Sequence, residues 1–251
     1  MRSTKFLSTK GSAVFACTAI FCAMLMFAVC DGNGNSDEGG NNGGSTGDGG
    51  GNTNFTPGSQ FNPAITYGSL TDTRDGKTYR TVKIGNQTWM AENLNYDVSG
   101  SVCNDNDPSN CNIYGRLYYW ETAMNDAVSS DASPSGVQGV CPVGWHIPSD
   151  AEWTTLIDYV GGRSTAGTKL KARAGWDNLT GGASGNGTND YGFSALPGGG
   201  GYSTGFDYVG DDGRWWGVLE KHTIYMNKRV GSVTKYNAGN GGAFSVRCAQ
   251  D

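Results

Sequence analysis

Residues 141–156 read CPVGWHIPSDAEWTTL, and two uses of this stretch lead to different proteins. It is either the mouth of an active site, with a cysteine, a histidine and acids close together, or the place where a fold is stapled shut. Ser149 and Glu152 stand at the S-x-x-E spacing of a capping box, with Pro148 just outside it. Trp153, Leu156, Ile157 and Val160 then recur at i, i+3, i+4 and i+7, one apolar face of a helix. Gly161 and Gly162 supply the stop. The spacing predicts a capped helix in which the Glu152 carboxylate serves the cap and not a reaction. His146 has no acid, cysteine or serine at a triad spacing, and His222 is the chain's only other histidine, so a structural or surface role is expected for it. The segment reads as a staple.

The cysteines support that reading. Cys103 and Cys111 flank a polar loop containing Pro108, while Cys141 and Cys248 form the other pair in the folded part. Four cysteines allow three connectivities. The proximity of the first two favours Cys103–Cys111 and Cys141–Cys248. By loop entropy these bridges contribute about 2.5 and about 4.7 kcal/mol. Neither a CxxC spacing nor a histidine cluster is present, so no zinc site and no other metal or cofactor is expected.

The beginning of the chain explains why the cysteines would be oxidised. Arg2, Lys5 and Lys10 precede GSAVFACTAIFCAMLMFAV, an uncharged apolar run that ends at Cys30. This is an export signature. Phe27-Ala28-Val29-Cys30 stands where a bacterial lipoprotein signal has its lipobox, which makes Cys30 the expected lipidation site. A cleaved signal peptide or a retained anchor are the alternatives. Residues 31–54, DGNGNSDEGGNNGGSTGDGGGNTN, hold no hydrophobe and no base and are expected to form a disordered tether. A transition segment, 55–70, leads to one domain, 71–251. The chain carries 18 basic and 23 acidic residues for a net charge of −5. Such a surface repels phosphate backbones, which argues against nucleic acid as a partner.

Within the domain, TYRTVKI (78–84) is β-branched and aromatic between the turn dipeptides Asp75-Gly76 and Gly85-Asn86, so it predicts a strand with TWMA as its hairpin return. Asp72, Asp75 and Gly76 lack the alternate-position acids of a calcium loop and read as a turn. A shorter helix is expected over AGTKLKARA, a short buried strand at FSAL, and a terminal strand over AFSVRCAQD. With 41 glycines in 251 residues, long loops should join these elements. The fold class expected is α+β, with short antiparallel strands, one or two capped helices and two disulfides.

DGKTYRTVKIGNQTWMAENLNY, YGRLYYW, GVCPVGWHIPSDAEWTTLIDYVGG, AGTKLKA, GTNDYGFSALPGG and FSVRCAQD occur in this order. Together they resemble the Fibrobacter succinogenes major paralogous domain. The resemblance implies an exported, often lipid-anchored domain with a C-type lectin-like fold. The helix after Pro148 is similar to that of sulfatase-modifying domains of the same fold. WWGVLEKHTIYMNKRVG departs from the family pattern and keeps only its tryptophans, Trp215-Trp216.

A fold carries no chemistry by itself. The calcium-loop signatures of sugar-binding lectins are absent, and no nucleophile-and-base spacing is visible, so no catalytic residue is expected. The expectation is a non-catalytic binding or adhesion module at the outer membrane or cell surface. Its partners would be the membrane, through the lipid, and a polysaccharide or a cell-surface protein. Tyr202, Phe206, Tyr208, Trp215 and Trp216 are the candidate ligand-binding rings, since aromatic faces stack on sugars. A display protein without a small ligand, or a degenerate sulfatase-modifier enzyme, are the competing expectations.

Overall fold

A computed structural model describes residues 55–251 apart from Lys221 and Asn240. The signal segment, Cys30 and the tether lie outside the described residues. In chain order the elements are β1 (Gly68–Thr71), β2 (Thr78–Ile84), β3 (Gln87–Met90), β4 (Ser101–Val102), α1 (Pro108–Tyr114), β5 (Leu117–Tyr119), α2 (Trp120–Met124) and β6 (Trp145–His146). There follow α3 (Asp150–Tyr159), α4 (Arg163–Leu170), β7 (Gly198–Tyr202), β8 (Gly205–Val209), β9 (Asp212–Trp216), β10 (His222–Asn227), β11 (Thr234–Asn237), β12 (Ala243–Ser245) and β13 (Ala249–Gln250). The protein is α+β, with few helices and short, mostly antiparallel strands.

Two sheets result. The smaller runs β1-β2-β3-β13-β6 and the larger β11-β10-β9-β12-β5-β4, with the hairpin β7–β8 joined to the larger one through β12. The expected strand over Thr78–Ile84 forms as read, and Gln87–Met90 returns beside it. The turn before it closes with the Gly76 amide donating to the Asp72 carbonyl.

The opening stretch is a staple. The Ser149 hydroxyl accepts from the Glu152 amide and the Glu152 carboxylate accepts from the Ser149 amide, so the capping box is complete. Trp153, Leu156, Ile157 and Val160 are all buried. Gly161 and Gly162 follow at φ +108° and +84°, conformations that strain any side chain. Both predicted disulfides form, with Cα atoms 5.1 Å apart for Cys103–Cys111 and 6.0 Å for Cys141–Cys248.

Three expectations change. The second helix starts earlier and ends at Leu170, where Lys171 turns extended. FSAL is buried but makes one isolated bridge, Lys171 with Ala195, and no strand. The terminal strand is broken in two: β12 belongs to the larger sheet and β13 to the smaller. Residues 246–248 carry the chain across between them.

Rings fill the interior. Trp89, Trp153 and Phe193 meet in a triangle with centroids 4.7 to 5.9 Å apart. Trp215, Trp176, Leu170 and Met226 extend this first core. A second core gathers Tyr118, Trp216, Phe244, Val246 and the Cys141–Cys248 bridge. Burying a ring of about 150–250 Å² releases roughly 4–6 kcal/mol of transfer free energy, which compensates for the scarcity of aliphatic side chains.

The crossing carries Arg247, which is fully buried. Its Nε and Nη2 donate to the Asn93 Oδ1 at 3.0 and 2.6 Å, and its other donors reach the carbonyls of Met90, Phe193 and Ser194. Asn93 Oδ1 also accepts from the Trp215 indole at 2.8 Å, and its Nδ2 donates to the Tyr114 carbonyl at 2.7 Å. Gly115 passes so close that a Cβ there would sit 2.7 Å from that of Asn93. Lys171 is a second buried cation. Its ammonium donates to the carbonyls of Gly185, Asn227 and Val230 at 3.0 to 3.3 Å, and burial pushes its pKa down to about 8.

Replacing Asn93 by Ala orphans the Trp215 indole and strips two bonds from a buried guanidinium. We expect a loss of about 3–5 kcal/mol in unfolding free energy, read as a lowered urea midpoint. An unchanged midpoint would mean that the Arg247 cluster does not support the fold.

Candidate functional site

Side chains alternate across a strand, so in β9 Trp215 points to one face while Arg214 and Trp216 point to the other. Registry then decides Arg214's neighbours. Tyr225 of β10 lies opposite Arg214, and Thr223, opposite Trp216, is itself opposite Tyr236 of β11. The β7–β8 hairpin adds Tyr202 and Tyr208. The Arg214 guanidinium carbon is 5.3 Å from the ring centre of Tyr225, 5.5 Å from Tyr208, 5.6 Å from Tyr236 and Phe244, and 5.9 Å from Tyr202. All five lie within cation–π reach.

Hydrogen bonds fix the cation at the centre of these rings. Arg214 Nη1 donates to the Tyr202 hydroxyl, and Nη2 pairs with Asp212 Oδ2 at 3.2 Å. The buried Asp212 accepts in turn from the Tyr225 hydroxyl at 3.0 Å and from Asn227. Burial, helped by the Asp212 charge, pushes the Tyr225 pKa up to about 12. Burial also raises that of Tyr202, against the pull of Arg214. Both phenols therefore keep their protons in neutral solution. Arg214 Nε is buried with no acceptor among the described residues.

The outer rings are open to water. Tyr208 is 54% exposed and Tyr236 50%. Tyr208 also holds φ at +64°, a conformation that bulky residues rarely adopt. The result is a rigid patch of ring faces and phenolic donors around a neutralised cation. Chemically it can stack on flat apolar faces and bond hydroxyls.

Of the rings singled out from sequence, Tyr202 and Tyr208 belong to this cluster. Phe206 is half-buried in β8 and is not one of the five rings around Arg214. Trp215 and Trp216 are corrected: they are 0% and 1% exposed, one in each core, and their indoles bond Asn93 and the Tyr118 carbonyl. Both faces of β9 are covered at that point, so these rings serve the cores and are not presented as surface rings. Arg214, Tyr225 and Tyr236 were missed. Tyr225 lies inside the stretch that departs from the family pattern.

The other cluster with chemical potential is His146. The ring is fully buried, its Nε2 2.8 Å from Glu152 Oε1 and its Nδ1 2.7 Å from Asp251 Oδ1. The second Glu152 oxygen accepts from the amides of Ser149 and Ser135. Burial opposes the imidazolium charge, yet the bonds to the two carboxylates outweigh it and raise the His146 pKa. Burial likewise works against the Glu152 charge, and the bonds from His146 and the amides override it to lower that pKa. Both His146 ring nitrogens and both Glu152 oxygens are engaged, tying the helix start to Ser135 and to the last residue of the chain, Asp251. Among the described residues no three histidine, cysteine or acidic side chains could hold a metal ion.

Residues 82–250 match the family described as the Fibrobacter succinogenes major domain, and the chain belongs to that family. No curated protein and no solved structure matches it.

The His146–Glu152 pair sets a sign for pH dependence. A raised histidine pKa adds stability that is complete below the unfolded value of about 6.5 and lost as pH rises through the folded one. We expect the His146 contribution to the urea midpoint to fall as pH rises above about 6.5, read as the wild-type minus His146→Gln difference at each pH, with Lys171, its pKa lowered to about 8, titrating the same way in both proteins. A difference that does not shrink with rising pH would contradict the pairing.

Proposed function

We propose that this chain, a member of the Fibrobacter succinogenes major domain family, is an exported, lipid-anchored cell-envelope protein whose domain binds polysaccharide without catalysis. The single observation behind this reading is the Arg214 cluster. Two half-exposed tyrosines, Tyr208 and Tyr236, stand over two more that are locked by hydrogen bonds to Arg214 and Asp212. Rigid rings with protonated phenols suit a sugar, which offers an apolar C–H face and a rim of hydroxyls.

Several features support the wider setting. Two disulfides suit a chain that matures outside a reducing compartment. The basic start, apolar run and Cys30 suit lipidation, and residues 31–54 suit a spacer that holds the domain off an outer membrane or cell surface. The capped α3, the two small sheets and the bridge from Cys141 to Cys248 suit a C-type lectin-like fold. The saturated His146–Glu152 pair and the four oxidised cysteines favour binding over the degenerate-enzyme alternative.

Affinity electrophoresis of the full-length protein through gels containing cellulose, xylan or pectin tests the proposal. Wild type should be retarded by at least one of them. The Tyr208→Ala/Tyr236→Ala double variant should lose about tenfold in apparent affinity, some 1.4 kcal/mol, with its thermal midpoint nearly unchanged. No retardation on any glycan ends the polysaccharide reading.

A further inference from the structure

Where residues 55–67 fold back beside β2, a groove of about 740 Å³ opens on the surface, within the roughly 300–1,000 Å³ typical of small-ligand sites. Its walls are Phe61, Pro63, Ile65 and Tyr67, and two guanidinium groups, Arg80 and Arg173, enter it. Much of it is built by residues that precede the family match, which begins at residue 82.

Charge sets this groove apart. Arg74, Arg116 and Arg214 each face an aspartate. Arg80 and Arg173 have no ion-pair partner among the described residues, and no carboxylate lines the groove. The carboxylate beside Arg80, Glu92, accepts from the Arg80 backbone amide and lies outside the groove, so in a chain of net charge −5 two guanidinium groups sharing one groove favour an anion there. Arg80 is also held in place: its guanidinium carbon sits 3.9 Å over the Phe61 ring and 5.8 Å from that of Tyr67, leaving the N–H edge free. Tyr67 packs edge-on against Phe61 at 5.3 Å and its hydroxyl accepts from the Asn62 amide, which stiffens that wall. A stacked, preorganised fork beside apolar rings matches a carboxylate carried on a flat, partly apolar body.

We propose that this groove is a second binding site, for uronic-acid units of an acidic polysaccharide, with Arg80 and Arg173 pairing the carboxylates and the Phe61–Tyr67 wall packing the sugar. The ligand class rests on the polysaccharide reading above; the site is separate from the tyrosine cluster and stands on different residues.

Isothermal titration of the full-length protein with trigalacturonate, its methyl ester, xylotriose and inorganic phosphate tests this. Trigalacturonate should bind saturably and weaken as salt rises from about 0.05 to about 0.5 M. Arg80→Gln/Arg173→Gln should lose at least about tenfold. Arg80→Lys/Arg173→Lys, which keeps charge but not the fork, should lose less. The proposal is overturned by the absence of saturable trigalacturonate binding, by equal binding of the methyl ester, by phosphate binding as tightly, or by full affinity in the Arg80→Gln/Arg173→Gln variant. Failure of the tyrosine site shows up separately, as xylotriose binding that the tyrosine variant leaves intact.

Discussion

A buried guanidinium with no carboxylate at ion-pair distance among the described residues holds the two sheets together. The chain leaves the larger sheet at Ser245 and enters the smaller at Ala249, and at the crossing the Val246 and Cys248 carbonyls accept from the amides of Leu94 and Met90. The carbonyls of Met90, Phe193 and Ser194 all point inward there. An unpaired buried carbonyl costs about 1–3 kcal/mol, so leaving three bare would consume much of a domain's stability. Arginine alone offers five donors in a fixed fork. Burial works against its charge, yet arginine gives up its proton less readily than any other side chain. Asn93 completes the arrangement by tying Arg247, Trp215 and Tyr114 to one amide.

Lys171 repeats the solution elsewhere. The chain at Gly185, at the end of β10 and at Val230 converges there, and one ammonium gathers a carbonyl from each. Arg74 does the same for the Val140 carbonyl and Lys169 for that of Val160. In a glycine-rich domain with short strands, many carbonyls find no ladder partner, and side-chain cations fill the role a bound metal ion would otherwise take. Among the described residues Lys171 and Arg247 are the cations drawn fully inward, whereas Arg80 and Arg173 stay exposed and share one groove.

The parts of the fold legible in the sequence are those whose signal is local. A capping box needs four residues, a helix face needs twelve, and the strand at Thr78–Ile84 is bounded by two turn dipeptides; each formed where it was read. The disulfides were legible because only three pairings existed. What was not legible depends on partners distant in sequence. AFSVRCAQD alternates like one strand, but Arg247 takes a buried place between two sheets that nothing in nine residues announces. The same holds at the site. Adjacent tryptophans in a strand must point to opposite faces, and only the fold shows that both faces of β9 are covered at Trp215 and Trp216. Tyr225 and Tyr236 join Tyr208 through the registers of β9, β10 and β11, and register is set by loops of uneven length.

The tyrosine patch differs from core packing in one physical respect. Rings in both cores are enclosed and their polar atoms, where present, mostly bond backbone or Asn93. Around Arg214 the inner phenols are locked while the outer rings remain half in water, so the cluster keeps apolar surface exposed that packing alone would have removed. Tyr208 adds a cost of about 1–3 kcal/mol by holding a left-handed backbone, which a glycine there would relieve. The position therefore combines a half-exposed ring with a left-handed backbone, and the Arg214 contact holds the ring there.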